Sequence, residues 1–166
     1  MADAEALFAA YQGGLRRYLQ RAVGHPETAR DLTQDVFVRV AAASTLPAAD
    51  SERRSWIFRI ARNLAIDHQR RHAVRFETAA PPRETGHAAP QDTSIAVNEA
   101  LAALDPLDRD VFLMREAGGL SYTEIAAACD LTVPAARSRL HRARLELRER
   151  LRGPIAEARR HEMRRT

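Results

Sequence analysis

Residues 121–144 read SYTEIAAACDLTVPAARSRLHRAR, and this stretch decides the fold of the second half of the chain. Ser121, followed three residues later by Glu124, forms the capping-box pattern that begins a helix. The polar break DLT at residues 130–132 places Thr132 as the cap of a second helix, and Pro134 is tolerated in that helix's first turn. A short helix, a tight turn and a longer basic helix predict a helix-turn-helix.

The second helix of this motif sorts into two faces at 100° per residue. Five small or aliphatic residues share one face and are predicted to pack inward: Val133, Ala136, Leu140, Ala143 and Leu147. Five polar residues lie on the opposite face and its flanks: Arg137, Ser138, Arg139, His141 and Arg142. Arginine can bridge two acceptors of guanine or clamp phosphates. The pattern therefore favours a DNA-reading helix over a merely solvated basic face.

Composition and charge agree with a helical protein that has two kinds of partner. The 166 residues are 45% hydrophobic and only 5% aromatic, with seven glycines, which favours helices over a β-rich fold. Residues 134–166 hold eleven arginines and four glutamates, a net charge of +7. Because the whole chain carries +4, residues 1–133 sum to −3. A basic end on an acidic body suits a polyanion at one site and a different partner elsewhere.

Several protein classes are excluded by what the sequence lacks. No apolar run reaches the length of a membrane span, and MADAEALFAAYQGG at the N-terminus lacks the basic start and apolar stretch of a signal peptide. We therefore expect a cytoplasmic protein without membrane insertion. Cys129 is the single cysteine and is predicted to be a core residue, and the six histidines lack metal-ligand spacing, so no metal or cofactor is expected. No catalytic motif is present, so we expect neither an enzyme nor a small-molecule substrate.

The chain divides at a segment rich in proline. AVRFETAAPPRETGHAAPQDTS, residues 73–94, contains three prolines and a glycine and has no sustained periodicity, which indicates a flexible linker. Before it, apolar residues recur at helical spacing, as in Leu32, Val36 and Val40. The predicted fold is all-α, with two small helical domains at residues 1–72 and 95–152, the linker at 73–94 between them, and a basic tail at 153–166.

Three segments in this order resemble the extracytoplasmic-function (ECF, group 4) sigma factors of bacterial RNA polymerase, within the sigma-70 family: DLTQDVFVRV at 31–40, WIFRIARNLAIDHQRR at 56–71, and GGLSYTEIAAACDLTVPAARSRLHRARLELRERL at 118–151. The resemblance covers about residues 5–72 and 95–152. It implies two sigma domains, called regions 2 and 4, and a role in promoter-specific transcription initiation, responsive to stress or another signal. It also implies three partners: core RNA polymerase, promoter DNA and an anti-sigma factor. VPAARSRL stands where members commonly show a Gly-Thr-Val run, so the promoter sequence is not carried over.

The resemblance assigns roles to three sets of residues. The outer side of 31–40 matches the segment that docks on the polymerase core, and it presents Asp31, Gln34, Asp35 and Val38. Residues 51–71 match the part that captures and opens the −10 element, with the candidates Arg54, Trp56, Arg59, Asn63 and Arg70. Aromatic and guanidinium planes can stack on unpaired bases, although Trp56 at helical spacing also fits a core position. The resemblance assigns recognition of the −35 element to the polar face of the last helix.

Two other functions fit the residues taken alone. A conventional helix-turn-helix regulator, whose N-terminal helices dimerise or sense a ligand, would bind a symmetric operator tightly without polymerase. A protein-binding adaptor, with arginines that serve solubility, would show no DNA affinity that falls as salt rises.

Overall fold

The computed structural model describes residues 2–78 and 92–164, which form seven helices. They are α1 Ala2–Val23, α2 Pro26–Ala42, α3 Asp50–Thr78, α4 Asp92–Ala102, α5 Pro106–Glu116, α6 Tyr122–Cys129 and α7 Val133–Met163. These two ranges contain no strand, and the all-α prediction is confirmed. Within the same ranges, every helix is too short or too polar to cross a bilayer.

Helices α1 to α3 pack around a core formed by the predicted apolar stripes. Leu15 and Leu19 of α1, Val36 of α2 and Ile57 of α3 are all fully or almost fully buried. Pro26 occupies the first turn of α2, where a missing backbone N–H costs nothing, and Glu27 complements the helix dipole there. Because the apolar stripe of α2 faces this core, the opposite side of α2 is exposed to solvent.

Helices α4 to α7 form the second unit. Asp105 caps α5, because its Oδ1 accepts hydrogen bonds from the backbone N–H groups of Leu107 at 3.0 Å and Asp108 at 3.3 Å. Met114, Ile125 and Leu140 fill the core between α5, α6 and α7. This packing fixes α7 against the two shorter helices and leaves one of its faces free.

Three helices extend beyond the predicted domain limits. Helix α3 continues to Thr78 and α4 begins at Asp92, so both ends of the predicted linker 73–94 are helical, while residues 79–91 lie outside the described part. The first helix-breaking residue after α3 is Pro81, which explains the longer helix. Helix α7 runs to Met163 and includes most of the predicted tail, although Gly153 and Pro154 disfavour helix. The alanine, glutamate and arginine residues that follow Pro154 favour it.

The two units are in direct contact along α1 and α3 on one side and α5 and α6 on the other. Gly118, just after α5, lies so close to α3 that an added Cβ would stand 2.7 Å from Cε1 of Phe58. Tyr18 of α1 is fully buried, and its hydroxyl reaches Oδ1 of Asp110 in α5 at 3.4 Å. The apolar core therefore continues from one unit into the other.

Candidate nucleic-acid and polymerase interfaces

The helix-turn-helix at residues 121–144 is built as its sequence predicts. The Ser121 hydroxyl accepts from the Glu124 backbone N–H at 3.2 Å, and the Glu124 carboxylate accepts from the Ser121 N–H at 2.8 Å. Asp130 ends α6 in the left-handed conformation with φ of 54°. Thr132 Oγ1 then accepts from the Ala135 N–H at 3.2 Å and starts α7. These local hydrogen bonds fix the angle at which α7 leaves the turn.

Helix α7 presents an exposed polar surface at its beginning. Arg137, Ser138 and His141 are exposed, and the Arg142 side chain is 60% exposed. The Arg137 guanidinium lies 5.2 Å from the centre of the Tyr122 ring, a cation–π contact that orients it. The predicted inner residues Ala136, Leu140, Ala143 and Leu147 are buried, and Val133 is half-buried.

Arg139 differs from its neighbours because it is held by α5. Its Nη1 lies 2.8 Å from Oδ1 of Asp108 and 3.6 Å from Oδ1 of Asp105, and its side chain is only 28% exposed. Asp108 is buried, and it also accepts from Arg142 Nη2 at 3.1 Å. One carboxylate thus joins two arginines of α7. The sequence placed Arg139 on the outer face, whereas in the structure it lies against the neighbouring helix.

Helix α3 gathers the five residues predicted to contact the −10 element, but they have different surroundings. Asn63 and Arg70 are exposed, and Trp56 is half-buried against the apolar core. Arg59 Nη2 donates to the Ala127 carbonyl and, at 2.8 Å, to Oδ1 of Asp130. Arg54 Nη2 donates to the Gly118 carbonyl at 3.4 Å, and its Nη1 lies 4.0 Å from the Glu124 carboxylate.

A polar cluster between the two units was not predicted from the sequence. Arg62 Nε donates to Oδ2 of Asp110 at 2.8 Å, next to the Tyr18 hydroxyl. Burial raises the pKa of the Asp110 carboxyl, while the hydrogen bond from Arg62 acts in the opposite direction. Burial also raises the pKa of the Tyr18 hydroxyl well above its ordinary value. Asp110 stands next to Val111 in α5, both residues are buried, and a buried carboxylate needs a partner. This position was the available signal for the cluster.

The outer face of α2 combines charge with apolar area. Asp31, Gln34 and Asp35 are exposed, and Val38 is 66% exposed. The two aspartates line a groove of about 320 Å³ together with His68 and Arg71 of α3, among other residues. Burial lowers the pKa of His68, and the neighbouring side chains of His72, Arg71 and His25 lower it further.

Two aromatic side chains add to this surface and were missed in the sequence. Phe37 of α2 packs edge-on against Phe8 of α1 with ring centroids 4.7 Å apart, and Phe8 is 37% exposed. A helix partner that pairs with the α2 carboxylates would therefore also find aromatic and aliphatic contacts.

Cys129 is a core residue, as predicted. It is buried, its Sγ lies 3.6 Å from the Met114 sulfur, and burial raises the pKa of its thiol to about 11. Within the described ranges, no three histidine, cysteine, aspartate or glutamate side chains are grouped so that they could hold a metal ion.

Comparison with known proteins matches both units. Residues 7–75 match the family Sigma-70 region 2, and residues 94–147 match Sigma-70, region 4. RNA polymerase sigma factor YlaC of Bacillus subtilis (strain 168) is 31% identical over 155 residues, which are 87% of this chain and 90% of that protein. ECF RNA polymerase sigma factor EcfG of Rhodopseudomonas palustris (strain TIE-1) is 30% identical over 145 residues, 80% of this chain and 76% of the relative. The sigma factor RpoE of Bartonella quintana, solved with the anti-sigma factor NepR, superimposes with a TM-score of 0.70 at 24% identity, over 92% of this chain and 98% of that chain.

A helix-turn-helix with an exposed cationic face, carried beside a second helical unit with an acidic and apolar face, defines a DNA-binding protein that also has a protein partner. With both sigma regions present in order, the chain belongs to the ECF sigma factors of the sigma-70 family. Helices α1 to α3 are its region 2, and α4 to α7 its region 4.

Proposed function

We propose that the chain binds core RNA polymerase through α2 and brings it to promoters through α3 and α7. The observation that carries this proposal is the opposite sign of the exposed charges on two faces, the outer side of α2 and the start of α7. Asp31 and Asp35 stand exposed on region 2, whereas Arg137 and Arg142 stand exposed on the capped helix-turn-helix of region 4. In this role the protein works in the cytoplasm as an initiation factor without an enzymatic activity of its own.

The −35 duplex is the partner of α7. Arg137, Ser138, His141 and Arg142 lie at the start of the helix, which is the part that meets base edges when such a helix enters the major groove. The Arg142 guanidinium has one Nη engaged by Asp108 and keeps other N–H groups for guanine or phosphate acceptors. Arg139 contributes by holding α7 against α5 rather than by reaching outward.

The opened −10 strand is the partner of α3. Asn63 and Arg70 are exposed on one side of this helix, and the Trp56 ring is partly accessible beside them. Arg59 extends this surface once its contacts with region 4 are released, whereas Arg54 lies on another side of α3, about 160° around the helix from Trp56. Unpaired bases that stack on such side chains shift the duplex toward the open form without ATP, because protein–base contacts offset the cost of unstacking.

The exposed faces also suit a regulatory protein. The Bartonella quintana sigma factor of similar fold was solved with an anti-sigma factor. We propose that this chain likewise has an anti-sigma partner, which covers the α2 face of Asp31, Gln34, Asp35 and Val38 and so competes with core polymerase.

Run-off transcription with core polymerase, on a library of genomic fragments, tests the proposal. We expect specific transcripts with the chain and none without it. Arg142→Ala should lower the yield from −35-dependent promoters about tenfold, as for the loss of one good base contact, without loss of core binding. Arg160→Ala, which removes an exposed charge near the end of α7, is the matched control. A chain that binds duplex DNA tightly alone and does not stimulate polymerase would instead be a conventional regulator.

A further inference from the structure

Tyr122, the first residue of α6, brings together arginines of the two neighbouring helices. The guanidinium carbon of Arg115 in α5 lies 5.0 Å from the centre of the Tyr122 ring, and that of Arg137 in α7 lies 5.2 Å from the same centre. Both distances are within the range of a cation–π contact. One aromatic ring therefore connects the three helices that form the DNA-reading part of region 4.

The Tyr122 ring is itself held in place. It is half-buried, packs against the apolar core and stands in the capped first turn of α6. Arg115 is fixed beside it, because its Nη1 donates to the Leu120 carbonyl at 2.8 Å. The phenol also lies near Arg144, whose pKa is raised mainly by the hydrogen bond to Glu116 and additionally by Tyr122. The ring is thus a fixed surface on which a flexible side chain can rest.

The Arg137 side chain is exposed, and its guanidinium takes part in no hydrogen bond or ion pair with the other described residues. Arg139 and Arg142 of the same helix, by contrast, are held by Asp108 at 2.8 Å and 3.1 Å. An arginine without any such contact loses more side-chain freedom when it binds DNA, and this ordering lowers affinity. The contact with Tyr122 reduces that loss for Arg137, because part of the ordering is already present in the free protein.

The contact with Tyr122 leaves Arg137 able to read DNA. A cation–π contact is an attraction to the face of the ring, and it uses none of the five N–H donors of the guanidinium group. Bidentate recognition of guanine needs two of these donors, which reach the O6 and N7 acceptors in the major groove. The Tyr122 ring can therefore hold Arg137 while its donors remain available to a base.

We propose that Tyr122 is a positioning residue for Arg137, and that its ring sets the preference of α7 for guanine at one base pair of the −35 element. This inference rests on the proposed binding of α7 to the −35 duplex. It assigns the effect to the aromatic ring and not to the hydroxyl group. Replacement of Tyr122 then changes base recognition only through Arg137.

Tyr122→Leu and Tyr122→Phe, each assembled into holoenzyme, separate the ring from the hydroxyl group. Leucine keeps an apolar side chain against the core but has no ring, whereas phenylalanine keeps the ring. Binding is measured by mobility shift on labelled promoter duplexes in which each −35 base pair is changed in turn, and Arg137→Ala holoenzyme identifies the base pair that Arg137 reads. At that base pair Tyr122→Leu should lower the preference for guanine about two- to fivefold, the range for an exposed cation–π contact. Tyr122→Phe should keep the preference within about twofold of the wild type.

A double-mutant cycle tests whether Tyr122 acts through Arg137. In the Arg137→Ala background, Tyr122→Leu should cause no further loss of guanine preference. Melting temperatures check that the variants are folded, and Tyr122→Met, which also lacks a ring, replaces Tyr122→Leu if the leucine variant is unfolded.

Three results would overturn the inference: an equal further loss in the Arg137→Ala background, equal losses in Tyr122→Leu and Tyr122→Phe, or an unchanged preference in Tyr122→Leu. Each of these leaves the proposed −35 role of Arg137 standing. Unaltered binding of Arg137→Ala holoenzyme to every duplex would instead overturn both that role and the inference.

Discussion

The ion pair between Arg139 and Asp108 should stabilise region 4 more than a surface ion pair would. Their atoms are 2.8 Å apart, and the side chains are 28% and 7% exposed. A hydrogen bond to a charged group contributes about 1.5–3 kcal/mol when shielded, against about 0–1 kcal/mol for an exposed pair. Arg142, 60% exposed and 3.1 Å from the same oxygen, belongs to the weaker class. We therefore expect Asp108→Ala to lower the free energy of unfolding by about 2–4 kcal/mol.

A double-mutant cycle separates this ion pair from other effects of the two substitutions. Urea unfolding of the wild type, Asp108→Ala, Arg139→Ala and the double variant gives four free energies of unfolding. With a urea slope of about 1–3 kcal/mol per molar, the unfolding midpoint of Asp108→Ala should fall by at least about 0.7 M. The coupling energy between residues 108 and 139 should be about 1.5–3 kcal/mol. Additivity within about 0.5 kcal/mol would refute the argument that Arg139 holds α5 to α7.

Three further predictions follow from the structure. Asp35→Arg should abolish holoenzyme formation in a pull-down with core polymerase while the melting temperature stays within a few degrees, since Asp35 is exposed; normal core binding would remove α2 from the interface. Gly118→Ala should lower the melting temperature by several degrees, because its Cβ would stand 2.7 Å from Phe58 Cε1; an unchanged value would contradict this packing. Cys129, buried and with a pKa raised to about 11, should react with iodoacetamide at pH 8 at least tenfold slower than in urea; equal rates would contradict its burial.

The parts of the fold that depend on neighbouring residues could be predicted from the sequence. The Ser121 and Glu124 capping box and the Thr132 cap form as expected, because each needs only the backbone of the next three residues. The buried faces of α1, α2 and α7 follow from helical periodicity alone. The same periodicity placed Asp31 and Asp35 on the solvent side of α2, where the structure has them.

What depends on distant residues could not be predicted. The partner of Arg139 lies 31 residues away in α5, and the partner of Arg59 lies 71 residues away at the end of α6. Helical spacing says which side a residue faces, but it does not say what is packed opposite. For this reason helical spacing predicts Arg139 on the exposed side of α7, and Arg54 and Arg59 are predicted as DNA contacts without their partners in region 4. The contact between the two regions was outside the reach of local patterns for the same reason.

Arginine is the sole basic residue type besides histidine in this chain, and its shape explains how Arg142 can contact both Asp108 and DNA. All 26 basic residues are arginines. A guanidinium group has five N–H donors in a fixed plane, whereas an ammonium group is a compact, strongly hydrated charge. Arg142 can therefore keep its contact with Asp108 and still present a second edge to DNA. Arg142→Lys should behave like Arg142→Ala in −35-dependent transcription and not like the wild type. A single ammonium group lacks the planar fork of donors that lets a guanidinium contact Asp108 and DNA at the same time. Full activity of the lysine variant would show that only the charge of residue 142 is needed.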